Sequence, residues 1–251
     1  MKKQRLDEWM TDINKDYYDK QYKTPYRSTI KFCDWLEELN ILTKLSEQNI
    51  IDMGSGTGAN LYYLNQRFPK CYFSGIDINP NFVKEGNEFF KEHEINNCKL
   101  ISGDIYNLDT KIINTAYNGI LSFQTFSWLP EYEKALSEII KIDPKWIAFT
   151  SLFYDGLVDC KIEVKEYLEP NSFENPKESF YNIYSLPKIK NFFSRCGFNK
   201  FDYLLFEIDT DLPRPSHTFM QTYTETLATG KRIQMSGPIR MNWYFVIAIK
   251  E

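Results

Sequence analysis

Histidine and cysteine are scarce in this 251-residue chain, which has two histidines and five cysteines. Cys33, Cys71, Cys98, Cys160 and Cys196 are odd in number, widely spaced and never paired as Cys-x-x-Cys. That arrangement offers neither a disulfide framework nor a zinc site, so no metal is expected, and it fits a reducing, cytoplasmic setting. No run approaches the ~20 apolar residues of a spanning helix. The basic amino-terminal residues are not followed by the apolar core of a signal peptide, so no membrane partner is expected. Positive charge is not in excess either. Thirty Lys and Arg stand against 34 Asp and Glu, a net charge of -4 and a pI near 5.4, which argues against a nucleic-acid partner. Internal repeats and low-complexity segments are also missing.

What is abundant is aromatic: 17 Tyr and 19 Phe within a 43% hydrophobic composition, enough for a full core in one α/β domain with additions. The chain is organised around Ile50 to Asn60, Ile-Ile-Asp-Met-Gly-Ser-Gly-Thr-Gly-Ala-Asn. β-branched residues, glycines at alternate positions and the helical spacing of Leu61, Leu64 and Phe68 predict a strand, a tight turn and a helix. Three glycines, Gly54, Gly56 and Gly58, shape a loop that a ligand can approach closely. Tyr72 to Ile76 reads as the next strand and ends in Asp77, and Lys99 to Ser102 as a third, followed by Gly103-Asp104-Ile105. Gly54-x-Gly56-x-x-Ala59 also satisfies a dinucleotide fingerprint. Asp52, however, would repel a pyrophosphate at the mouth of the turn.

The pattern Asp52-x-Gly54-x-Gly56-x-Gly58 resembles the first motif of the class I S-adenosylmethionine-dependent methyltransferases, whose cofactor brings an ammonium and a sulfonium. The resemblance implies that Asp52, Gly54, Ser55, Gly56 and Gly58 face the methionine part of the cofactor. It also implies that Asp77 and Ile78 hold the ribose, that Asp104 and Ile105 hold the adenine, and that Phe123 completes the cofactor site. A nicotinamide-dependent oxidoreductase and a non-catalytic S-adenosylmethionine-binding protein stand as alternatives. The implied fold is α/β: a doubly wound, seven-stranded, mostly parallel sheet of order 3-2-1-4-5-7-6 over residues 46–251. Insertions are expected at 153–184 and 209–241, and an N-terminal helical cap over 1–45.

In that cap, Ser28 can cap a helix that buries Phe32, Trp35 and Leu36. Just before it, Tyr18 and Tyr26 are expected to meet the acceptor and Arg27 the cofactor carboxylate. Ile120 to Gln124 should form strand four, with Thr125 and Trp128 at its carboxyl end beside the reaction site. This segment lacks the Asn/Asp-Pro-Pro-Tyr pattern of amino-methyltransferases that act on nucleic acids, which weakens that reading further. The second insertion carries His217, a candidate general base, and Arg214, Lys231, Arg232 and Arg240. Arginine's fork suits carboxylate or phosphate, so a small anionic or phosphate-bearing acceptor, such as a surface-glycan or other tailoring precursor, is expected. A surface histidine and solvated loop charges are the plainer alternatives. The oligomeric state is not legible.

Overall fold

A computed structural model describes residues 20–167, 173–216 and 220–251 of the chain. Helix α1 (Arg27–Glu38) precedes the alternation β1 (Asn49–Met53), α2 (Ala59–Arg67), β2 (Tyr72–Asp77), α3 (Pro80–Glu92) and β3 (Cys98–Ser102). A short α4 (Thr110–Ile113), β4 (Gly119–Ser122), a 3-10 turn (Phe126–Trp128), α5 (Tyr132–Ile140) and β5 (Trp146–Tyr154) follow. Next come the strands β6 (Glu163–Glu166), β7 (Lys177–Phe180) and β8 (Tyr184–Ser185), then α6 (Leu186–Arg195) and β9 (Lys200–Leu205). The described chain closes with β10 (Thr222–Thr226), β11 (Arg232–Ser236), β12 (Ile239–Arg240) and β13 (Trp243–Ile249).

The main sheet runs β3-β2-β1-β4-β5-β13-β9. Strands β3 to β5 pair in parallel, whereas β13 is antiparallel to both β5 and β9. This is the order 3-2-1-4-5-7-6 expected from the sequence, with one correction. The two-residue β8 pairs with the end of β5 and makes the sheet eight-stranded. The sixth strand of that order is Lys200–Leu205, with polar Lys200 and Asp202 along an exposed sheet edge.

Both faces of the sheet are covered, so its central strands are buried along most of their length. Alternation along β1 sends Ile51 and Met53 to one layer, with Phe126, Phe149 and Phe193. Ile50 goes to the other, with Phe32, Leu36, Leu61 and Phe68. Asn79 caps α3 by accepting the Asn81 N–H, and Ser185 caps α6 by accepting the Lys188 N–H. Ser28 does not cap α1. The helix already begins at Arg27, and Tyr26 at the cap position makes no side-chain capping bond, so Ser28 sits in the first turn.

The two insertions are ordered where described. β6 and β7 form an antiparallel hairpin, and β10, β11 and β12 a small sheet of their own. A satellite core of Leu152, Tyr181, Ile239, Met241 and Trp243 fastens both insertions to the carboxyl end of β5. Among the described residues, no helix is long and apolar enough to cross a membrane.

Gly86, inside α3, decides how closely that helix approaches the glycine turn. A Cβ there would overlap the Thr57 carbonyl, which is backbone and cannot rotate aside, and Leu100. Helix propensity favours Ala over Gly by about 1 kcal/mol, while overpacking costs about 1–3 kcal/mol. Gly86→Ala is therefore expected to lose stability on balance, by up to about 2 kcal/mol, read as a lower urea midpoint. A higher midpoint would mean that α3 can move off the turn.

Candidate active site

The turn after β1 is held by the end of β2. The N–H groups of Gly54 and Ser55 both donate to the Ile76 carbonyl, at 2.9 and 3.0 Å. The N–H of Gly56 donates to Asp77 Oδ2 at 2.8 Å, and all three glycines have positive φ. A pyrophosphate loop needs free N–H groups facing the ligand, and here these three are already used. Asp77 also accepts the Asn79 N–H through Oδ1 at 2.9 Å. Burial outweighs these bonds and moves its carboxyl above the usual range.

Asp52 is fully buried, and neither of its oxygens has a hydrogen-bond partner among the described residues. Desolvation first, and then the charge of Asp77, push its carboxyl up to about 7. Ser55 Oγ and Thr57 Oγ1 are buried and unpartnered as well. Orphaned polar atoms gathered around one turn are uncommon in a folded chain and call for an explanation.

At the carboxyl ends of the strands lies a cavity of about 440 Å³. Of the residues singled out in the sequence, Tyr26, Gly54, Ser55, Gly56, Asp77, Ile78, Asp104, Ile105, Phe123, Thr125 and Trp128 line it. Asp52 and Gly58 do not reach its surface. Asp52 lies beneath the turn, and Gly58, at φ 84°, is the N-cap of α2. Asp104 Oδ1 accepts the Tyr106 N–H at 2.8 Å, which leaves its other oxygen for the cavity. Thr125 Oγ1 points back to the carbonyls of Met53 and Phe123, so Thr125 fixes the loop and is not a hydrogen-bond donor to a ligand.

The expectations for five basic residues need correction. Arg27 lies outside the cavity, 55% exposed, with its Nε 3.5 Å from Asp209, because the early start of α1 turns it toward the second insertion. Arg214 stacks over the Tyr223 ring at 5.2 Å, and Arg240 is exposed on β12. Arg232 pairs with Asp211, and Lys231 with Glu207. None of these basic groups lines the cavity. The charges of the second insertion thus serve its own small sheet, and the anionic-acceptor expectation loses the residues it rested on. Tyr18 and His217 lie outside the described residues.

Residues 44–155 match the family model described as a methyltransferase domain. Over those residues the chain carries a methyltransferase domain, and its sheet has the order of the class I S-adenosylmethionine-dependent fold. Among curated relatives, the malonyl-[acyl-carrier protein] O-methyltransferase of Priestia megaterium is 25% identical over 190 residues, covering 70% of this chain and 67% of that protein. The trans-aconitate 2-methyltransferase of Escherichia coli is 22% identical, covering 59% and 57%, so the match spans little more than half of that enzyme. The magnesium protoporphyrin IX methyltransferase of Synechocystis, solved with S-adenosylhomocysteine bound, superposes with a TM-score of 0.54 at 12% identity, over 98% of this chain and 94% of that one.

The methyltransferase domain fits its cofactor, S-adenosylmethionine, on its own geometry. A buried carboxylate without a protein partner lies under a turn whose N–H groups are occupied, which suits a cationic ligand and not a phosphate. The antiparallel β13 likewise departs from the order 3-2-1-4-5-6 of dinucleotide enzymes.

Sequence reasoning missed the roof of the cavity. Glu166, Lys177 to Tyr181 and Met220 contribute to it, and their segments carry no motif. It also missed Asn182, which is fully buried. The Asn182 N–H donates to the Ser127 carbonyl at 2.8 Å, and its Nδ2 to the Leu129 carbonyl at 2.7 Å. Its Oδ1 accepts the Ile162 N–H at 3.0 Å. One side chain thus ties the first insertion to the loop after β4. Gln124, in that loop, has φ 57° and is held by its N–H to Thr150 Oγ1 at 2.8 Å and by its Nε2 to Ser28 Oγ at 3.2 Å.

Asp52 yields a pH prediction. An unfolded aspartate titrates near ~4, and the folded one near about 7. The folded state therefore binds the extra proton between those values, and stability from this site falls as pH rises through the window. Without cofactor, Asp52→Asn is expected to gain on the parent between pH 5 and pH 8 in urea unfolding. An equal difference at both pH values would show that Asp52 does not titrate in this range.

Proposed function

We propose that the protein transfers the methyl group of S-adenosylmethionine to a small acceptor lying beneath the β6–β7 hairpin. The observation that carries this reading is the continuity of the cavity, which runs from the turn, Asp77 and Asp104 to Trp128 and the inserted hairpin. A shared chamber can bring cofactor and acceptor into line while closing water out.

In this reading Asp77, at the end of β2, accepts the ribose hydroxyls. Asp104 accepts the adenine amino group, since a carboxylate accepts and cannot donate, and the backbone of Ile105 meets the ring beside it. Gly54 and Gly56 give bare backbone for close approach, and Phe123 and Ile78 pack the apolar part of the ligand. Asp52 stands under the turn as the charge complementary to the cofactor's cationic end. When bound, the cofactor supplies an electrophilic methyl on a cationic sulfur. The chain's task is to orient the acceptor and keep it dry. Tyr26 and Trp128 take the acceptor side. The five free cysteines fit a cytoplasmic location.

The direct test is transfer of label from methyl-labelled S-adenosylmethionine to a metabolite extract, with products resolved by mass. Tight cofactor binding with no labelled product in any fraction would favour the non-catalytic alternative. Asp77→Ala removes charge-assisted bonds worth about 1.5–3 kcal/mol each, so calorimetry should find at least tenfold weaker binding of S-adenosylhomocysteine. Unchanged affinity would place the ribose elsewhere.

A further inference from the structure

Resting on the methyl-transfer reading, we infer that the acceptor is a protonatable amine carried on an apolar, ring-bearing body. The acceptor end of the cavity is built from the loop after β4 and from the inserted hairpin. Gln124, Glu166 and Glu178 offer acceptor oxygens there. Gln124 commits its Nε2 to Ser28 Oγ, which directs Oε1 away from that contact. Glu166 lines the wall, with one oxygen fixed by the Met220 N–H at 2.7 Å. Glu178 lines it too, with its side chain 14% exposed and the half-exposed Lys165 at 3.3 Å. Among the described residues no arginine lines the cavity, and the one basic lining residue, Lys177, is exposed.

Apolar surface dominates the rest of this end. The Trp128 and Tyr181 rings meet edge to face with centroids 4.2 Å apart, and Leu129 and Pro130 continue the wall. Aromatic faces attract a cation, more strongly when it is desolvated. Two carboxylates and an amide oxygen bind an N–H donor but repel an acceptor that is itself a carboxylate or phosphate.

The reaction's charge flow agrees with this lining. The ammonium first releases a proton to water. The nitrogen lone pair then forms the N–C bond as the methyl C–S bond breaks, the electron pair of that bond staying on sulfur. Positive charge moves from the cofactor to the acceptor nitrogen, toward Glu166 and Glu178, which are placed to stabilise it as it develops. The methylated nitrogen keeps its positive charge or passes a second proton to water. A carboxylate acceptor would end neutral and gain nothing from those groups.

Three probes of similar size separate the possibilities: 2-phenylethylamine, 2-phenylethanol and 3-phenylpropanoate, each titrated by calorimetry at neutral pH into protein saturated with S-adenosylhomocysteine. The amine should bind at least tenfold more tightly than the carboxylate, with the alcohol between them. In the Glu166→Gln/Glu178→Gln double variant the preference should disappear while S-adenosylhomocysteine affinity stays the same. Each single Gln variant should lose part of it if the double variant does not fold. Equal or tighter binding of the carboxylate, no binding of any probe, or a preference that survives in the variants overturns the amine assignment and leaves methyl transfer standing. Failure of the parent protein to bind S-adenosylhomocysteine overturns both.

Discussion

The structure depends on how the chain reverses between β1 and α2. Within five residues the backbone must leave a buried strand, pass three positive-φ positions and start a helix, and the peptide groups it exposes on the way need partners. The end of β2 supplies them: the Ile76 carbonyl takes two N–H groups, and the Asp77 carboxylate takes a third. Because β2 lies beside β1 in parallel register, this bonding also fixes where β2 ends and where Asp77 stands. The turn and the carboxylate at the neighbouring strand end are therefore one unit, and neither can move without leaving a buried polar group unpaired.

A second layer of support comes from aromatic packing. Tyr22 stacks on Phe89 of α3 with centroids 3.8 Å apart, and its hydroxyl donates to the Thr57 carbonyl. Thr29 of α1 donates to Asn60 of α2 at 3.1 Å. The cap is thereby tied to the same turn, and Gln21, Tyr26, Ser28 and Thr29 become a wall of the cavity. Farther out, Arg67 binds Asp34 and Glu37, which joins α2 to α1 on the side away from the cavity. On the opposite side, Asn182, Tyr184 and Ser127 hold the first insertion against the loop after β4. The Tyr184 hydroxyl donates to the Phe126 carbonyl at 2.9 Å, and Ser127 Oγ accepts the Leu152 N–H at 2.7 Å.

The buried carboxylate of Asp52 is the main departure from ordinary core chemistry. An unpartnered acid at zero exposure is costly and has no structural use that the described residues reveal. It is intelligible as strain kept for binding, since a cationic ligand arriving above the turn would offset the cost. Gln124, held at positive φ where the strand ends, is a smaller case of the same kind.

Local pattern determined much of this protein. The glycine turn, Asp52, Asp77 and Asp104 were legible because each sits at the end of an apolar strand, where spacing of one strand-helix unit fixes position along the chain. The sheet order was legible through the resemblance that the glycine motif carries, which implied the fold of a known family. Asn79 and Ser185 start their helices by chemistry that acts within a few residues. Only the tertiary structure decided which side chains line the cavity. Arg27, Arg214 and Arg240 looked suited to an anion, but their surroundings turned them to Asp209, to Tyr223 and to solvent. Glu166, Glu178 and Asn182 looked like ordinary residues of a polar insertion, but the hairpin folds them onto the end of β5. Spacing along a chain encodes contacts within a strand-helix unit; it does not encode where a motif-free insertion comes to rest, because that is set by the distant apolar surface it covers.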